Sequence, residues 1–214
     1  MKNYLLIFSL FALFAFNNKP GPVMREKAAP FFTVLKFDKK EQLFKDSIKG
    51  NIINGLSWKD SNGEHRALFT AIPVKMNESS GLQSGAIYVY CFSKKTAGWK
   101  KTWEVKDRID ACEVDATCEF FPKSFTITDN NANDVGEVCF LYKLSCKGDV
   151  SPDEKKLIMY EGVNKYAIRG STILQFAAGK EGGDKKIDAS FSKAARPLLD
   201  FANGQWDKFG VTKF

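Results

Sequence analysis

A polar loop between two apolar, β-branched runs holds the most concentrated set of oxygen ligands in the sequence. In the segment FTITDNNANDVGEVCFLYKL (125–144), Asp129, Asn131, Asn133 and Glu137 stand at positions one, three, five and nine of the loop. Calcium takes many hard oxygen ligands, and loops that bind it place those ligands at alternating positions. The spacing makes these four residues candidate calcium ligands, and calcium is the cofactor that the sequence suggests.

Two features of this loop count against a tight calcium site. Asp129 and Glu137 are the only charged residues at those positions, and fewer carboxylates mean weaker binding. Position six, where a sharp turn favours glycine, is Asp134. Aspartate tolerates a positive φ better than most residues, so we expect the turn to form. The alternative, which the ligand count favours, is a hairpin loop whose Asn and Asp side chains bond their own backbone in Asx-turns.

Groups suited to catalysis are sparse. The single imidazole, His65, directly follows a turn at 62–63, where an exposed histidine is expected. The chain has no G-x-S-x-G and no H-E-x-x-H motif. A pair of carboxylates could serve a glycosidase, and Asp115, Asp149 and Glu137 are the candidates. Because 25 acidic residues supply such pairs by chance, the sequence favours a protein without catalytic activity.

Aromatic residues alternate along two of the predicted strand pairs. Tyr88 and Tyr90 lie on one strand, and Trp99 and Trp103 lie on the next. Alternating aromatics are mostly core residues or cross-strand pairs. Those that face outward would form a platform on which sugar rings stack. These four residues are therefore candidate glycan-binding residues, and Trp99, beside the turn, is the one expected to be exposed.

The elements that must position these residues are predicted to be four antiparallel hairpins. Asn62-Gly63 between two alternating runs is the strongest hairpin signal in the chain. Eight short strands without a long helical period between them predict a mainly β, antiparallel fold, either a sandwich or a small propeller-like meander. A closed, lipocalin-like barrel is the alternative. The strand pairs are predicted at 50–59 with 64–74, 85–93 with 99–107, 119–125 with 138–144, and 155–161 with 165–170.

The C-terminal segment differs from the strands. Apolar residues at helical spacing, with Pro197 near the start, predict a helix at about 190–209 that caps the sheet. Gly204 is expected to interrupt it. Residues 31–214 are thus predicted to form a single all-β domain with a C-terminal helix.

The first residues indicate export. Lys2 precedes an apolar run at 4–16, which matches the length of the apolar region of a secretory signal peptide and is too short for a membrane span of ~20 residues. We assign 1–17 to a signal peptide and 18–30 to a linker. No cysteine lies within the first 30 residues, so a lipoprotein anchor is not expected. The predicted product is periplasmic or secreted, with no transmembrane span after cleavage.

The chain is basic, with a formal net charge of +7. The lysines occur in scattered pairs that are typical of solvated turns and protected strand edges. An exported protein rarely meets nucleic acid, so no nucleic-acid partner is expected. A weak attraction to anionic glycans or lipid head groups fits the charge better.

Five short motifs together resemble a family of uncharacterised exported proteins of Bacteroidota, some of them labelled surface polysaccharide biosynthesis proteins. The family pattern is Cys-x-Val-Asp, T-D-x-N-x-D-G-x-x-E-V, a Tyr-Lys strand, Cys-x-G-D-V-S-P and Met-Tyr-Glu-Gly. The resemblance covers about residues 50–214, and it implies export and fold more than activity. At Asn133-Asp134 the chain departs from the Asp-Gly of the family pattern, which removes one carboxylate and the turn glycine. The matching residues are 112–115, 128–138, 142–143, 146–152 and 159–162.

The five cysteines suit an oxidising compartment, and their odd number leaves at least one unpaired. The resemblance implies a Cys112–Cys146 disulfide, since both residues belong to the shared pattern. Hairpin spacing supplies a rival pair, Cys118–Cys146. Cys91 and Cys139 are expected to be buried thiols.

These observations lead to one main functional hypothesis and two alternatives. The main hypothesis is a non-catalytic, exported cell-envelope protein that binds glycan or another envelope component, such as an envelope protein. The first alternative is a hydrolase or transferase that acts on glycans through a carboxylate pair. The second alternative is a structural module stabilised by calcium.

Overall fold

The computed structural model describes residues 31–38 and 44–214. The predicted signal peptide and linker lie outside these residues. Antiparallel strands make up most of the described chain, as predicted. The strands are β1 (Thr33–Leu35), β2 (Asn51–Asp60), β3 (Gly63–Met76), β4 (Gln83–Lys95), β5 (Gly98–Cys112), β6 (Asp115–Phe120), β7 (Thr126–Thr128), β8 (Glu137–Lys147), β9 (Glu154–Glu161), β10 (Asn164–Ser171), β11 (Ile173–Phe176), β12 (Gly179–Gly182), β13 (Lys185–Ile187) and β14 (Val211–Lys213).

The strands form two large sheets packed face to face. Sheet A has the order β1-β2-β3-β4-β5, and sheet B has the order β13-β10-β9-β8-β6, with β7 also paired to β8. Both sheets are antiparallel throughout. A small third sheet, sheet C, has the order β12-β11-β14 and was not predicted. Because no strand of sheet A pairs with sheet B in the described residues, the fold is sandwich-like and the barrel alternative is wrong.

The core between sheets A and B follows from the alternation of side chains along each strand. On β4, Ile87, Val89 and Cys91 face sheet B, whereas Tyr88 and Tyr90 face the opposite side. Sheet B buries both of its faces, and its outer face packs on the C-terminal helix. This double burial explains why the central parts of β8 and β9, residues 138–142 and 157–160, are continuously apolar.

The predicted hairpins are confirmed, with one change. β2–β3, β4–β5 and β9–β10 turn where the sequence indicated. The remaining pair is interrupted, because residues 121–125 separate β6 from β7, and both of these strands pair with β8. The interruption shifts the register, so Cys118 lies opposite Leu144, and Ala116 lies opposite Cys146.

The disulfide joins Cys112 and Cys146, as the family resemblance implied. It connects the last residue of β5 to the end of β8 and so ties sheet A to sheet B at one end of the sandwich. The rival pair is wrong because the shifted register leaves Cys118 buried in the core as a free thiol. Cys91 and Cys139 are buried free thiols, as expected.

The C-terminal segment contains a 3-10 turn at Ala189–Lys193 and helix α1 at Arg196–Lys208, with Pro197 in its first turn. The helix continues through Gly204, so the predicted interruption is wrong. Its apolar face, which includes Leu198 and Trp206, packs on sheet B. Within the described residues, no helix has the length and apolar character needed to cross a membrane.

A buried lysine holds the end of α1. The Nζ atom of Lys155 donates to the backbone oxygens of Trp206 (3.2 Å) and Phe209 (2.9 Å). It also lies 4.0 Å from the centre of the Trp206 ring. Because the last carbonyls of a helix have no partner within the helix, this lysine satisfies them from β9.

Candidate functional site

A cleft of about 450 Å³ opens at the end of the sandwich opposite the disulfide. Four connections surround it: the β2–β3, β4–β5 and β9–β10 turns, and the loop at 129–136. Its lining comes from both large sheets, and nine of its fifteen residues carry polar side chains. The polar side chains of the lining are those of Asp60, Asn62, His65, Ser93, Lys95, Thr102, Asn133, Glu161 and Asn164.

Asp60 is the most constrained of these side chains. It is 5 % exposed. Its Oδ1 accepts hydrogen bonds from Nε2 of His65 (2.9 Å) and from the backbone N–H of Asn62 (2.7 Å). Its Oδ2 accepts from Nε1 of Trp58 (3.0 Å) and from the backbone N–H of Gly136 (3.0 Å). All four partners are donors, so the site is built for an ionised carboxylate.

The charge state of Asp60 follows from these contacts. Burial by itself raises the pKa of a carboxyl group, because the charged form loses its water. The hydrogen bonds from His65 and from the backbone of Gly136 and Asn62 outweigh burial and lower the pKa of Asp60 to about 2. The carboxylate is therefore ionised at neutral pH.

His65 lies in the cleft and is only 8 % exposed, so the expectation of an exposed histidine is wrong. Its Nδ1 lies 2.8 Å from Oγ of Ser93, and its ring stacks on Trp58 with centroids 5.1 Å apart. The physical reason is strand alternation. His65 has the same parity on β3 as the core residues Ala67 and Phe69, and this places it on the inner face of sheet A.

One wall of the cleft is fixed by Glu161. Its Oε1 accepts from the side-chain amides of Asn131 (2.6 Å) and Asn133 (2.9 Å), and its Oε2 accepts from the hydroxyl of Tyr166 (3.3 Å). These bonds attach the loop at 129–136 to the β9–β10 turn. The wall therefore presents amide and carboxylate groups in fixed positions.

The candidate calcium ligands are engaged in the hydrogen bonds of the loop itself. The two oxygens of Asp129 accept from the backbone N–H groups of Asn133 (3.0 Å) and Asp134 (3.1 Å). The side-chain oxygen of Asn131 accepts from Asn133 N–H, and that of Asn133 accepts from Val135 N–H. This is the Asx-turn arrangement expected as the alternative. Asp134 adopts a φ of 60°, which confirms that aspartate serves at the turn position.

Glu137 is likewise engaged in hydrogen bonds with the start of the loop. It is fully buried, and its carboxylate accepts from the hydroxyl of Thr128 (2.8 Å) and from the backbone N–H of Asn130 (3.0 and 2.8 Å). Burial raises its pKa above the ordinary value of glutamate, although these hydrogen bonds act in the opposite direction. Among the described residues, no group of three or more His, Cys, Asp or Glu side chains is arranged to hold a metal ion.

The three candidate catalytic carboxylates are not brought together. Glu137 begins β8, whereas Asp115 pairs with Lys147 at the other end of that strand. The ten residue steps between 137 and 147 correspond to about 33 Å at the rise of an extended strand. Asp149 lies in the turn after β8 and accepts a hydrogen bond from the hydroxyl of Ser151. Both aspartates are exposed.

The candidate aromatic residues divide between the two faces of sheet A. Tyr88 and Tyr90 are buried on the outer face, 8 % and 4 % exposed, with their rings stacked 5.9 Å apart. Trp99 is half-buried on the same face, in edge contact with Phe44. Trp103 points to the opposite face. The four residues therefore do not form a single platform.

Trp103 packs beside the cleft. Its ring stacks on Tyr160 with centroids 3.9 Å apart, and its Nε1 donates to the backbone oxygen of Gly162 (3.0 Å). This contact joins β5 to the β9–β10 turn. Its role in the structure is to hold the cleft wall in place.

Sequence reasoning missed Asp60, His65 and Ser93 as a group. A signal was present, because each has the inner-face parity of its strand: Trp58 and Asp60 on β2, His65 and Ala67 on β3, Cys91 and Ser93 on β4. When a polar residue at the end of a strand occupies the next inward-facing position after a series of apolar ones, it lies at the rim of the core.

No family model, no curated protein and no solved structure matches the chain.

Proposed function

We propose that the protein is an exported component of the cell envelope that binds a hydroxyl-rich ligand, a glycan chain or its terminus, in the cleft. The observation that carries the proposal is the lining of the cleft. It offers amide, hydroxyl, carboxylate and ammonium groups in one concave site of about 450 Å³, within the range of ~300–1,000 Å³ usual for small-molecule sites. Sugar hydroxyls both donate and accept, and they match such a mixed lining.

The rigidity of the walls also supports binding. Asp60 fixes the β2–β3 turn against Gly136, and Glu161 fixes Asn131 and Asn133. Polar groups that are held in place before a ligand arrives lose little entropy when it binds. The apolar run at 4–16 and the family resemblance support an envelope location, where glycans are abundant.

Binding can be tested by isothermal titration calorimetry with a panel of neutral and acidic oligosaccharides of one to four sugars. Asn164→Ala removes an exposed amide of the cleft lining. We expect it to weaken binding by roughly 5- to 10-fold, the value of one hydrogen bond of ~1–1.5 kcal/mol. The matched control is Asn51→Ala, at the opposite end of β2, which should leave the affinity unchanged. Absence of binding across the panel would refute the proposal.

A further inference from the structure

Three side chains at the floor of the cleft form a continuous chain of hydrogen bonds. Oγ of Ser93 lies 2.8 Å from Nδ1 of His65, and Nε2 of His65 lies 2.9 Å from Oδ1 of Asp60. The three residues come from β4, β3 and β2, the adjacent central strands of sheet A. All three line the same cleft.

The direction of the protons in this chain follows from the charge on Asp60. An ionised carboxylate can only accept, so Nε2 of His65 carries the hydrogen of that bond. A neutral imidazole has one protonated nitrogen, which leaves Nδ1 as an acceptor. The hydroxyl of Ser93 must then donate to Nδ1. The serine hydroxyl is thus bonded to a base that a buried carboxylate orients.

We infer that Ser93 is the nucleophile of an ester hydrolase, with His65 as general base and Asp60 as the residue that orients it, and that the substrate is an O-acylated glycan. This inference rests on the proposed function, because the glycan is the ligand expected in the cleft. The same roles define the serine, histidine and aspartate triads of hydrolases, which are recognised by geometry and not by chain order. Here the base nitrogen is Nδ1 and the oriented nitrogen is Nε2.

The reaction balances with water as the only co-reactant. Oγ of Ser93 forms a bond to the acyl carbon while its proton passes to Nδ1 of His65. The bond between the acyl carbon and the sugar oxygen then breaks, and the sugar oxygen takes that proton. Water next attacks the acyl-serine, gives a proton to His65 and releases the acid. The proton returns to Oγ of Ser93.

The depth of the serine restricts the acyl group. Ser93 is 3 % exposed, so a substrate carbonyl must enter the cleft to reach Oγ. This access favours a small acyl group, such as acetyl, over a long chain.

Lys95 is the cationic residue among those that line the cleft. It lies two residues beyond Ser93 on β4, so both side chains lie on the same face of the strand, and both line the cleft. An ammonium group at this position would stabilise the negative oxygen of the tetrahedral intermediate. Thr102, the unpaired residue of the β-bulge on β5 opposite Cys91 and Phe92, also lines the cleft.

Two probes test the inference on the purified protein. Methanesulfonyl fluoride, a serine-directed reagent about as small as an acetyl group, should react once per chain at Ser93, with loss of fluoride, and the mass of the intact protein and of its peptides reports the site. An O-acetylated oligosaccharide should release acetate. Ser93→Ala should abolish the label and lower the rate by on the order of 10³-fold or more. Ser57→Ala, a buried serine on the outer face of the same sheet, should change neither.

The outcomes separate this inference from the proposed function. If the wild-type protein binds the oligosaccharide but neither labels nor releases acetate, the hydrolase is refuted and the binding function stands. If it binds no oligosaccharide at all, both fail. A label at another serine, or acetate release that persists in Ser93→Ala, also overturns the assignment. Because the peptide masses locate the label on the wild-type protein itself, the test does not depend on a variant that folds well.

Discussion

The carboxylate of Asp60, on sheet A, accepts a hydrogen bond of 3.0 Å from the backbone N–H of Gly136, in the loop that leads into sheet B. A second bond, from Ser61 N–H to the backbone oxygen of Asp134 (2.8 Å), lies beside it. These two bonds close the sandwich at the cleft end, as the Cys112–Cys146 disulfide closes it at the other end. The shape of the cleft therefore depends on Asp60.

Replacing Asp60 by asparagine should destabilise the protein. All four partners of Asp60 donate, and an asparagine amide would direct N–H groups at two of them. A buried donor left without an acceptor costs ~1–3 kcal/mol, and the loss of the charge adds to this. We expect Asp60→Asn to lower the free energy of unfolding by about 2–4 kcal/mol in urea denaturation. Asp46→Asn, at an exposed position, is the control, and an equal loss there would contradict the account.

The same carboxylate predicts a loss of stability in acid. The pKa of Asp60 is about 2 in the folded protein, against 3.8 for the free side chain. Between these values the unfolded chain binds the additional proton, so stability falls as the pH falls from about 4 to 2. The contribution is about 2 kcal/mol. When the free energy of unfolding is plotted against pH, the difference between the wild type and Asp60→Asn should shrink as the pH falls from about 4 to 2. A difference that stays constant over this interval would refute the prediction.

Gly136 is required because a side chain there would meet Trp58. A Cβ atom built on Gly136 lies 2.5 Å from Nε1 of Trp58 and 2.8 Å from its Cδ1. Trp58 is buried and held by Asp60, so it has no room to move. Gly136→Ala should cost roughly 1–3 kcal/mol in the free energy of unfolding. Gly148→Ala, whose Cβ would meet its nearest atom at 3.5 Å, should be nearly neutral.

Lys155 predicts a second pH dependence, at the helix end of the molecule. Its burial lowers the pKa of the ammonium to about 8, from 10.5 for the free side chain. In this interval the unfolded chain holds the additional proton, so stability should rise with pH from about 8 to 10.5. Lys155→Met should remove this rise of stability with pH. Lys180→Met, which replaces an exposed lysine, is the control and should show the same rise as the wild type. Thermal unfolding measured between pH 7.5 and 9.5 checks this, and an unchanged slope in Lys155→Met would contradict it.

The acidic loop should not respond to calcium. Both oxygens of Asp129 already accept backbone N–H groups, and Glu137 is bonded to Thr128 and Asn130. A ligand that binds only the folded state raises the unfolding midpoint by mass action. We expect the midpoint to be the same in millimolar calcium and in chelator, with magnesium as the control. A rise in calcium that chelator reverses would make this loop a cation site.

The sequence predicted the sandwich well because its signals are local. Asn62-Gly63 specified a turn, and the apolar runs on either side of each predicted turn specified the strand pairs. The register of β6 was missed because residues 121–125 interrupt the hairpin; Pro122, which cannot donate to a strand ladder, is the local signal of this break. The parallel pairing of β11 with β14 was missed because the two strands are distant in the chain.

The cleft was harder to predict because it is assembled from four turns. Asn131 and Asn133 have the spacing of cation ligands or of Asx-turns; their oxygens accept backbone N–H groups, and their amides bond Glu161, a partner about 30 residues away in the chain. Tyr88 and Tyr90 were read as a binding platform, and the structure buries both on the outer face of sheet A. His65 was read from the turn that precedes it and not from its parity on β3. For the asparagines and tyrosines a contact distant in sequence decides the position, whereas for His65 the parity along the strand was the available signal.

The most direct test of the central claim, that the cleft is the functional site, is an NMR titration of the ¹⁵N-labelled protein with plain and O-acetylated oligosaccharides. The claim predicts that the shifted signals are confined to the indole N–H of Trp58, the backbone N–H of Gly136 and the side-chain amide of Asn164. Shifts centred on Trp99 and the outer face of sheet A would contradict the claim, and so would spectra that do not change.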